Sequence, residues 1–529
     1  MRPAWKRLLE LASPYGLAFE RDCAYPRTTQ QRFLVEAITA NTDTAIGRRL
    51  DFRTITTAAA YAERVPIVCF DDIEAELSAW SAGRATLCAE TVVHTEWTSG
   101  STREAKAIPY SATGLEGFRH ALFPWLSDLC RYEPDIATGH VYWALSPAGS
   151  SAFQHRPVGN DAAYFGEAAP LLQDLSAVPL ALAGLADAES WRFWSALFLA
   201  ACEDLSFISI WSPTFLHPLL DTLEQATDRA VDAMLRPERH AAPAALIPSL
   251  RRLQFDARHH AKRLRSATRG GQLDSAILWP RLRRISCWTH GTAARHIPGL
   301  AKRMAGVRIE PKGLLSTEAA VSLPVDGAAD PVAAVNSSFL ELLHDDGRCL
   351  PLWKWREGDE GRMVITTRSG LWRYDTGDRV RISGFWRSAP TLVFIGRHGS
   401  FVDLCGEKLD ETLVQNRLPA GLDAFVAPDA GDRGYRLFLE AGQVTNERAK
   451  ILADQLDSAL CDILHYRHAR ELAQLEPLRP ARVTGLITNV TRRICKTRGT
   501  PLATIKVPTL DSDSGWHEYF AHVGVLEKT

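Results

Sequence analysis

Thr98-Ser99-Gly100-Ser101-Thr102 is followed four residues later by Lys106. Short hydroxyl side chains, a glycine that lets backbone amides come close, and a mobile ammonium together suit a polyphosphate. Gly-Lys-Ser/Thr does not close the segment, so it is not a Walker loop. Four further groups carry chemistry. Ser316-Thr317-Glu318 offers two hydroxyls and a carboxylate. Gly370 to Asp378 reads Gly-Leu-Trp-Arg-Tyr-Asp-Thr-Gly-Asp, and Arg397 ends the Phe394-Ile395-Gly396-Arg397 run. A lysine, Lys506, stands in Ile505-Lys506-Val507-Pro508.

The elements that must position these groups follow from periodicity. Thr91–Trp97 reads as a strand ahead of the hydroxyl-rich loop, and a helix follows Tyr110. Thr113 and Glu116 have the spacing of a capping box, and Leu115, Phe118, Leu122, Trp125 and Leu129 fall on one face. Trp191–Ala201 reads as a helix capped by Ser190, and Leu205–Trp211 as a buried strand. Ser212-Pro213 opens another helix. Arg284–Trp288, a helix from Gly291 to Met304, and a strand from Val307 form a βαβ unit, hence a parallel sheet. Ligand groups in such sheets sit at the carboxyl ends of strands. Residues 1–90 read as helical and polar, 362–396 as strand-rich, and the end of the chain as rich in loops.

Composition narrows the class. With 529 residues the chain exceeds one compact core. A 46 % apolar and 23 % charged composition is that of a globular protein, and a net charge of −1 predicts no general attraction to nucleic acid or anionic membrane. The basic stretch Arg251–Arg269 reads as a solvated helix face. Ten cysteines without a Cys-x-x-Cys pair read as reduced thiols. Charges interrupt residues 1–15, and no apolar run reaches the length of a membrane span. The expected compartment is the cytoplasm. Trp191, Trp194, Trp211 and Trp288 are expected to pack in the core.

In order and spacing these motifs resemble the adenylate-forming superfamily. Within it, Leu371-Trp372-Arg373-Tyr374, Gly377-Asp378, Val380 to Phe385, Ala389-Pro390, Phe394 and Gly499 to Pro508 resemble the auxin-responsive (Gretchen Hagen) acyl acid amido synthetases and their bacterial branch. The middle motif, Gly313 to Glu318, lacks the aromatic residue of the plant enzymes, which leaves the acyl acid open. The resemblance implies an α/β fold. A large adenylate-forming domain of mixed sheets and helices, residues 1–397, would bind ATP and the acyl acid. A small mobile α+β domain would occupy 398–529.

The implied activity is an ATP-dependent acid–amine ligase that makes an amide through an acyl-adenylate. The implied cofactors are ATP and Mg²⁺, and the partners are a small carboxylic acid and an amino acid or amine, acted on by a monomer. Ser99, Gly100, Ser101, Thr102 and Lys106 would hold the outer phosphates. Ser316 and Thr317 would meet the α-phosphate, and Glu318 would ligate Mg²⁺. Tyr374, Asp378 and Arg397 complete the nucleotide site, with Asp378 on the ribose. Lys506 would stabilise charge during adenylation. Two alternatives share the motifs: an acyl-CoA ligase, and an inactive carboxylate-binding homologue.

Overall fold

A computed structural model of the chain describes residues 1–97, 106–143, 161–185, 187–397, 401–402, 404, 407, 409–429, 434–471, 475–498 and 505–527. The hydroxyl-rich loop, with Ser99, Gly100, Ser101 and Thr102, lies outside them. Its flanks are described: β1 (His94–Trp97) and β2 (Ala107–Tyr110) pair antiparallel across it.

β3 (His140–Trp143), β4 (Leu205–Ser209), β5 (Arg284–Cys287) and β6 (Arg308–Pro311) form a parallel sheet in that order. Every residue of β4 and β5 is buried. This is the continuous burial expected of parallel strands covered on both faces. The helices Ala188–Ala201, His217–Gln225, Thr227–Leu235 and Ala257–Thr268 contribute to the core against one face, through Trp191, Trp194, Leu220, Met234 and Leu264. On the last of these, Arg258, Lys262 and Arg265 are exposed while Arg263 is buried. Arg263 turns inward to donate to the carbonyl of Ala200 at 2.8 Å.

A second sheet is antiparallel throughout. It contains β7 (Ser322–Leu323), β8 (Val332–Ala333), β9 (Phe339–Leu343), β10 (Cys349–Pro351), β11 (Glu360–Thr366), β12 (Tyr374–Trp386) and β13 (Ala389–Arg397), in the order β10-β9-β11-β12-β13-β8-β7. Its core is shared with the N-terminal helices Pro3–Ala24 and Pro26–Ala40 and the long helix Ala112–Tyr132. The N-terminal ninety residues are therefore helical as expected. They are not simply polar: Trp5, Leu8, Phe19 and Phe33 enter that core.

After β13 come the short pair β14 (Phe401–Val402) and β15 (Leu409–Asp410), then β16 (Ala424–Pro428), β17 (Tyr435–Glu440) and β18 (Arg479–Val483). β16 and β17 pair antiparallel; β17 and β18 pair parallel. Alternation along the strands divides two cores. Val426, Leu437 and Leu439 pack with the helix Asn446–Leu460, while Phe425, Phe438 and Ala481 pack with the helices Leu486–Arg498 and Trp516–His522. The end of the chain thus holds helices on both faces of a sheet, rather than mostly loop. Leu486, Ile487, Val490 and Ile494 supply the helical apolar face.

Two caps differ from expectation. Ser111 caps Ala112–Tyr132, its hydroxyl accepting from Gly114 N at 3.1 Å. Thr113 bonds Glu90 instead, and Glu116 is drawn to Arg119 and Tyr15. Asp187, not Ser190, caps Ala188–Ala201 by accepting from Ser190 N at 2.7 Å. In each case the capping oxygen comes from a residue slightly earlier in the chain, a serine hydroxyl in one and a carboxylate in the other. The nine described cysteines are free thiols. No helix among the described residues is long and apolar enough to cross a membrane.

Candidate active site

The Gly370 to Asp378 segment is locked before it reaches the site. Gly370 has φ +85°, and a Cβ there would lie 2.6 Å from the carbonyl oxygen of Leu87. Only glycine fits this approach. Arg373 follows in the left-handed region at φ 45°. A bulky residue holds that conformation only when its surroundings enforce it. Here Nε and Nη2 of Arg373 donate to the two carboxylate oxygens of buried Glu341 at 3.0 and 3.1 Å, and Nη1 donates to the carbonyls of Ala62 and Val65. The fork fixes where β12 begins.

Tyr374, Asp378 and Arg397 then lie on β12 and β13, with Asp378 and Arg397 directly opposite in the register. Asp378 is only 8 % exposed. Arg397 is half-exposed, with Nε 3.9 Å from Asp378 Oδ1 and Nη2 donating to the carbonyl of Thr376 at 3.3 Å. Asp378, and then Glu318, hold its guanidinium pKa above the ordinary value despite opposing desolvation. Thr376 and Asp378 form a hydroxyl-capped turn, with Asp378 N donating to Thr376 Oγ1 at 3.2 Å.

Ser316-Thr317-Glu318 forms a tight reversal, not the start of a helix. Ser316 N donates to the carbonyl of Ala319 at 3.0 Å, and Ala319 N returns a bond to Ser316 Oγ at 3.3 Å. Tyr110, at the end of β2, donates its hydroxyl to the Thr317 carbonyl. Glu318 is buried. Desolvation raises its carboxyl pKa, Arg397 works against that rise, and the charge of Asp378 adds to it. Burial likewise pushes the Tyr374 phenol well above its ordinary range, with Glu318 adding to the rise.

Lys506 enters from the C-terminal segment. Its Nζ lies 4.5 Å from the ring centre of Trp288 and 5.4 Å from that of Phe394, cation–π distances on two faces. The residue keeps surface accessible to solvent, while its crowded head group is desolvated enough to lower its pKa. The charges of Asp378, Glu411 and Glu318 act in the opposite direction, and Arg397 reinforces the lowering. Glu411, which heads the helix Glu411–Gln415, anchors the same segment by accepting from Thr509 N at 2.8 Å. A second tie lies nearby: His296 Nδ1 and Asp423 Oδ1 are 2.9 Å apart.

Glu318, Tyr374, Asp378, Arg397 and Lys506 therefore converge. Lys106 sits at the base of β2, its ammonium 4.6 Å from the Phe70 ring centre. Trp288 corrects an expectation. Trp191 and Trp194 are core residues and half-buried Trp211 packs against the same core, whereas Trp288 is half-buried at the carboxyl end of the parallel sheet. Its position just past β5 was the available signal. Among the described residues, one group has spacing suited to a metal: His140, Cys202 and Asp204. The Arg2 guanidinium already occupies it, 2.5 Å from Asp204 and 3.1 Å from His140.

The carboxyl end of the parallel sheet thus meets a C-terminal segment that carries a lysine. The chain is a member of the GH3 family: it matches the GH3 family N-terminal domain over residues 17–309 and the GH3 family central domain over 332–397. The probable indole-3-acetic acid-amido synthetase GH3.1 of Arabidopsis thaliana is 23 % identical over 425 residues, covering 73 % of this chain and 69 % of that protein. The structure of AtGH3.15 acyl acid amido synthetase in complex with 2,4-DB superposes with a TM-score of 0.82 at 16 % identity, covering 99 % of this chain and 96 % of that one. A 2-hydroxyisobutyryl-CoA ligase in the postadenylation state shares the fold with a TM-score of 0.54 at 11 % identity, covering 96 % and 91 % of the two chains.

Proposed function

We propose that the protein is an ATP-dependent acyl acid amido synthetase. The carrying observation is Lys506, seated on Trp288 and Phe394 within the electrostatic reach of Asp378, Arg397 and Glu318. In the first step a carboxylate oxygen of the acyl acid attacks the α-phosphate of ATP, and pyrophosphate leaves. In the second, an amine nitrogen attacks the acyl carbon; AMP leaves with the bonding electron pair and the nitrogen loses a proton. In the first step negative charge builds around the five-coordinate α-phosphorus, and an ammonium that touches it there lowers the barrier; in the second, charge collects on the phosphate oxygen of the departing AMP.

Asp378 suits the ribose hydroxyls, since a buried carboxylate on a paired strand is a fixed acceptor. Arg397, held opposite it, reaches ribose or phosphate, and Tyr374 closes the nucleotide pocket. Thr317 and Ser316 present hydroxyls toward the α-phosphate. Ser99, Gly100, Ser101 and Thr102, with Lys106, would cradle the β- and γ-phosphates. Glu318 fits Mg²⁺: it is a buried oxygen donor whose charge is disfavoured without a cation. The ion would neutralise phosphate charge there.

Residues 398–529 act, in this reading, as a mobile unit that carries Lys506 into and out of the crevice. The acyl acid is an aromatic or other apolar carboxylic acid, and the acceptor an amino acid. Indole-3-acetic acid is the first candidate to assay, since it is named for the Arabidopsis relative. The test is ATP–pyrophosphate exchange over a panel of carboxylic acids, followed by acceptor-dependent AMP release. Exchange that proceeds to AMP release with an amino acid supports the reading. Release dependent on coenzyme A instead would replace it with thioester formation.

A further inference from the structure

The two rings that seat Lys506 are held by one stretch of chain. Trp288 follows the last residue of β5, and the chain turns at Gly291, φ +59°, into the short helix Gly291–His296. A Cβ at Gly291 would come within 2.8 Å of the Phe394 ring, so the absence of a side chain there lets that ring lie against the turn. His296 ends the same stretch. It is 5 % exposed, and its Nδ1 lies 2.9 Å from Asp423 Oδ1. A carboxylate only accepts, so Nδ1 carries the proton of this bond.

Asp423 and Lys506 are in turn tied to each other through β16. Asp423 immediately precedes that strand. Its N donates to Gln443 Oε1 at 2.8 Å, and its Oδ2 accepts from Gln443 Nε2 at 3.1 Å, which orients the carboxylate. Within the strand, Val426 N donates to the Thr509 carbonyl at 2.8 Å, and the Val426 carbonyl accepts from Asp511 N at 2.9 Å. The segment that carries Lys506 is therefore laid along β16, and Glu411 holds it there through Thr509 N. Asp423 and Lys506 thus reach the 288–296 stretch from one hydrogen-bonded frame.

One contact leaves such a frame free to swivel, whereas two fix its direction, and catalysis by a positioned charge depends on direction. We propose that the His296–Asp423 bond is the second anchor that aims Lys506 into the nucleotide site. Both are positioning residues for adenylation: they act through Lys506 and not on the substrates. The bond parts when residues 398–529 move away for amide formation. This rests on the amido synthetase reading, with Lys506 as the adenylating cation.

The test is pyrophosphate exchange in His296→Ala and Asp423→Ala, each made also in a Lys506→Ala background. Loss of the charge-assisted bond should slow exchange about tenfold when Lys506 is present. ATP affinity should stay unchanged, and amide formation from a supplied acyl-adenylate should be as fast as in wild type or faster. With Lys506→Ala there is no ammonium to aim, so the same substitutions should slow exchange no further. The His296→Ala/Asp423→Ala double variant should be no slower than either single one. Wild-type exchange in Asp423→Ala, or the same loss with and without Lys506, overturns the proposal and leaves the amido synthetase reading intact. So does equal slowing of both half-reactions, which would make the pair a fold contact. If His296→Ala does not fold, Asp423→Ala decides, since that side chain is 25 % exposed. Absence of exchange by the wild type with every acid of the panel, indole-3-acetate included, overturns the amido synthetase reading and the proposal with it.

Discussion

The ammonium of Lys506 lies 4.5 Å from the ring centre of Trp288, joining the C-terminal segment to the end of the third strand of the parallel sheet. A lysine carried by the C-terminal segment has its docking place built by the end of a strand in the parallel sheet. The desolvated ammonium gains from the indole face, an interaction of about 0.5–2 kcal/mol. Trp288→Ala should therefore slow pyrophosphate exchange roughly three- to thirtyfold while ATP affinity changes little. Trp288→Phe, which keeps a ring, should recover most of the rate. Equal rates in wild type and Trp288→Ala would remove the docking role.

Asp378 faces Arg397 across two strands and is nearly buried. If it holds the ribose, Asp378→Ala should weaken ATP and AMP binding alike, because both carry the same sugar. Calorimetric titration of each nucleotide checks this. Loss of ATP binding alone would move Asp378 to the phosphates or the metal.

Ser99→Ala combined with Lys106→Ala removes a hydroxyl and an ammonium assigned to the outer phosphates. Charge-assisted contacts are worth about 1.5–3 kcal/mol, so ATP affinity should fall roughly ten- to a hundredfold with AMP affinity unchanged. A folded double variant that binds ATP normally would contradict the assignment.

The Arg373–Glu341 fork is structural, and its loss should appear in stability before catalysis. Removing one partner of a buried pair leaves the other charge uncompensated, at a cost of about 3–5 kcal/mol. Glu341→Gln should lower the urea midpoint clearly, and nucleotide binding should weaken because β12 starts at Arg373. Unfolding curves superimposable on wild type would show that the backbone at φ 45° needs no such support.

His217 supplies a pH test. Burial, reinforced by Arg303, depresses its pKa from 6.5 to about 4. A histidine that folds neutral contributes stability fully present above pH 6.5 and lost progressively as pH falls toward 4. His217→Asn should therefore flatten the stability profile between pH 6.5 and 4 relative to wild type. Parallel profiles would show that His217 does not titrate in this window.

The residues in local motifs were legible in the sequence because the chain places them together: Tyr374 to Asp378 occupy one strand, and Arg397 ends its hairpin partner. The parallel sheet was legible from the alternation of helix and strand between Trp191 and Ile309. The lysine–indole contacts were not. Trp211, Trp288 and Lys312 meet only through the register of three strands far apart in sequence, and Trp288 meets Lys506 through a contact equally remote along the chain. The cap at Ser111 was hidden by a stronger pattern at Thr113 and Glu116, whose side chains are claimed by Glu90, Tyr15 and Arg119. The helix Leu486–Arg498 was masked by its run of polar and basic residues, although its apolar face is regular.

The central claim is that Lys506 serves adenylation and not amide formation. Lys506→Ala, assayed separately in the two half-reactions, tests it most directly. The account predicts pyrophosphate release slowed about a hundredfold or more, as for loss of a group that stabilises transition-state charge. ATP affinity and amide formation from a supplied acyl-adenylate should remain near wild type. Equal slowing of both half-reactions, or no slowing of either, would contradict it.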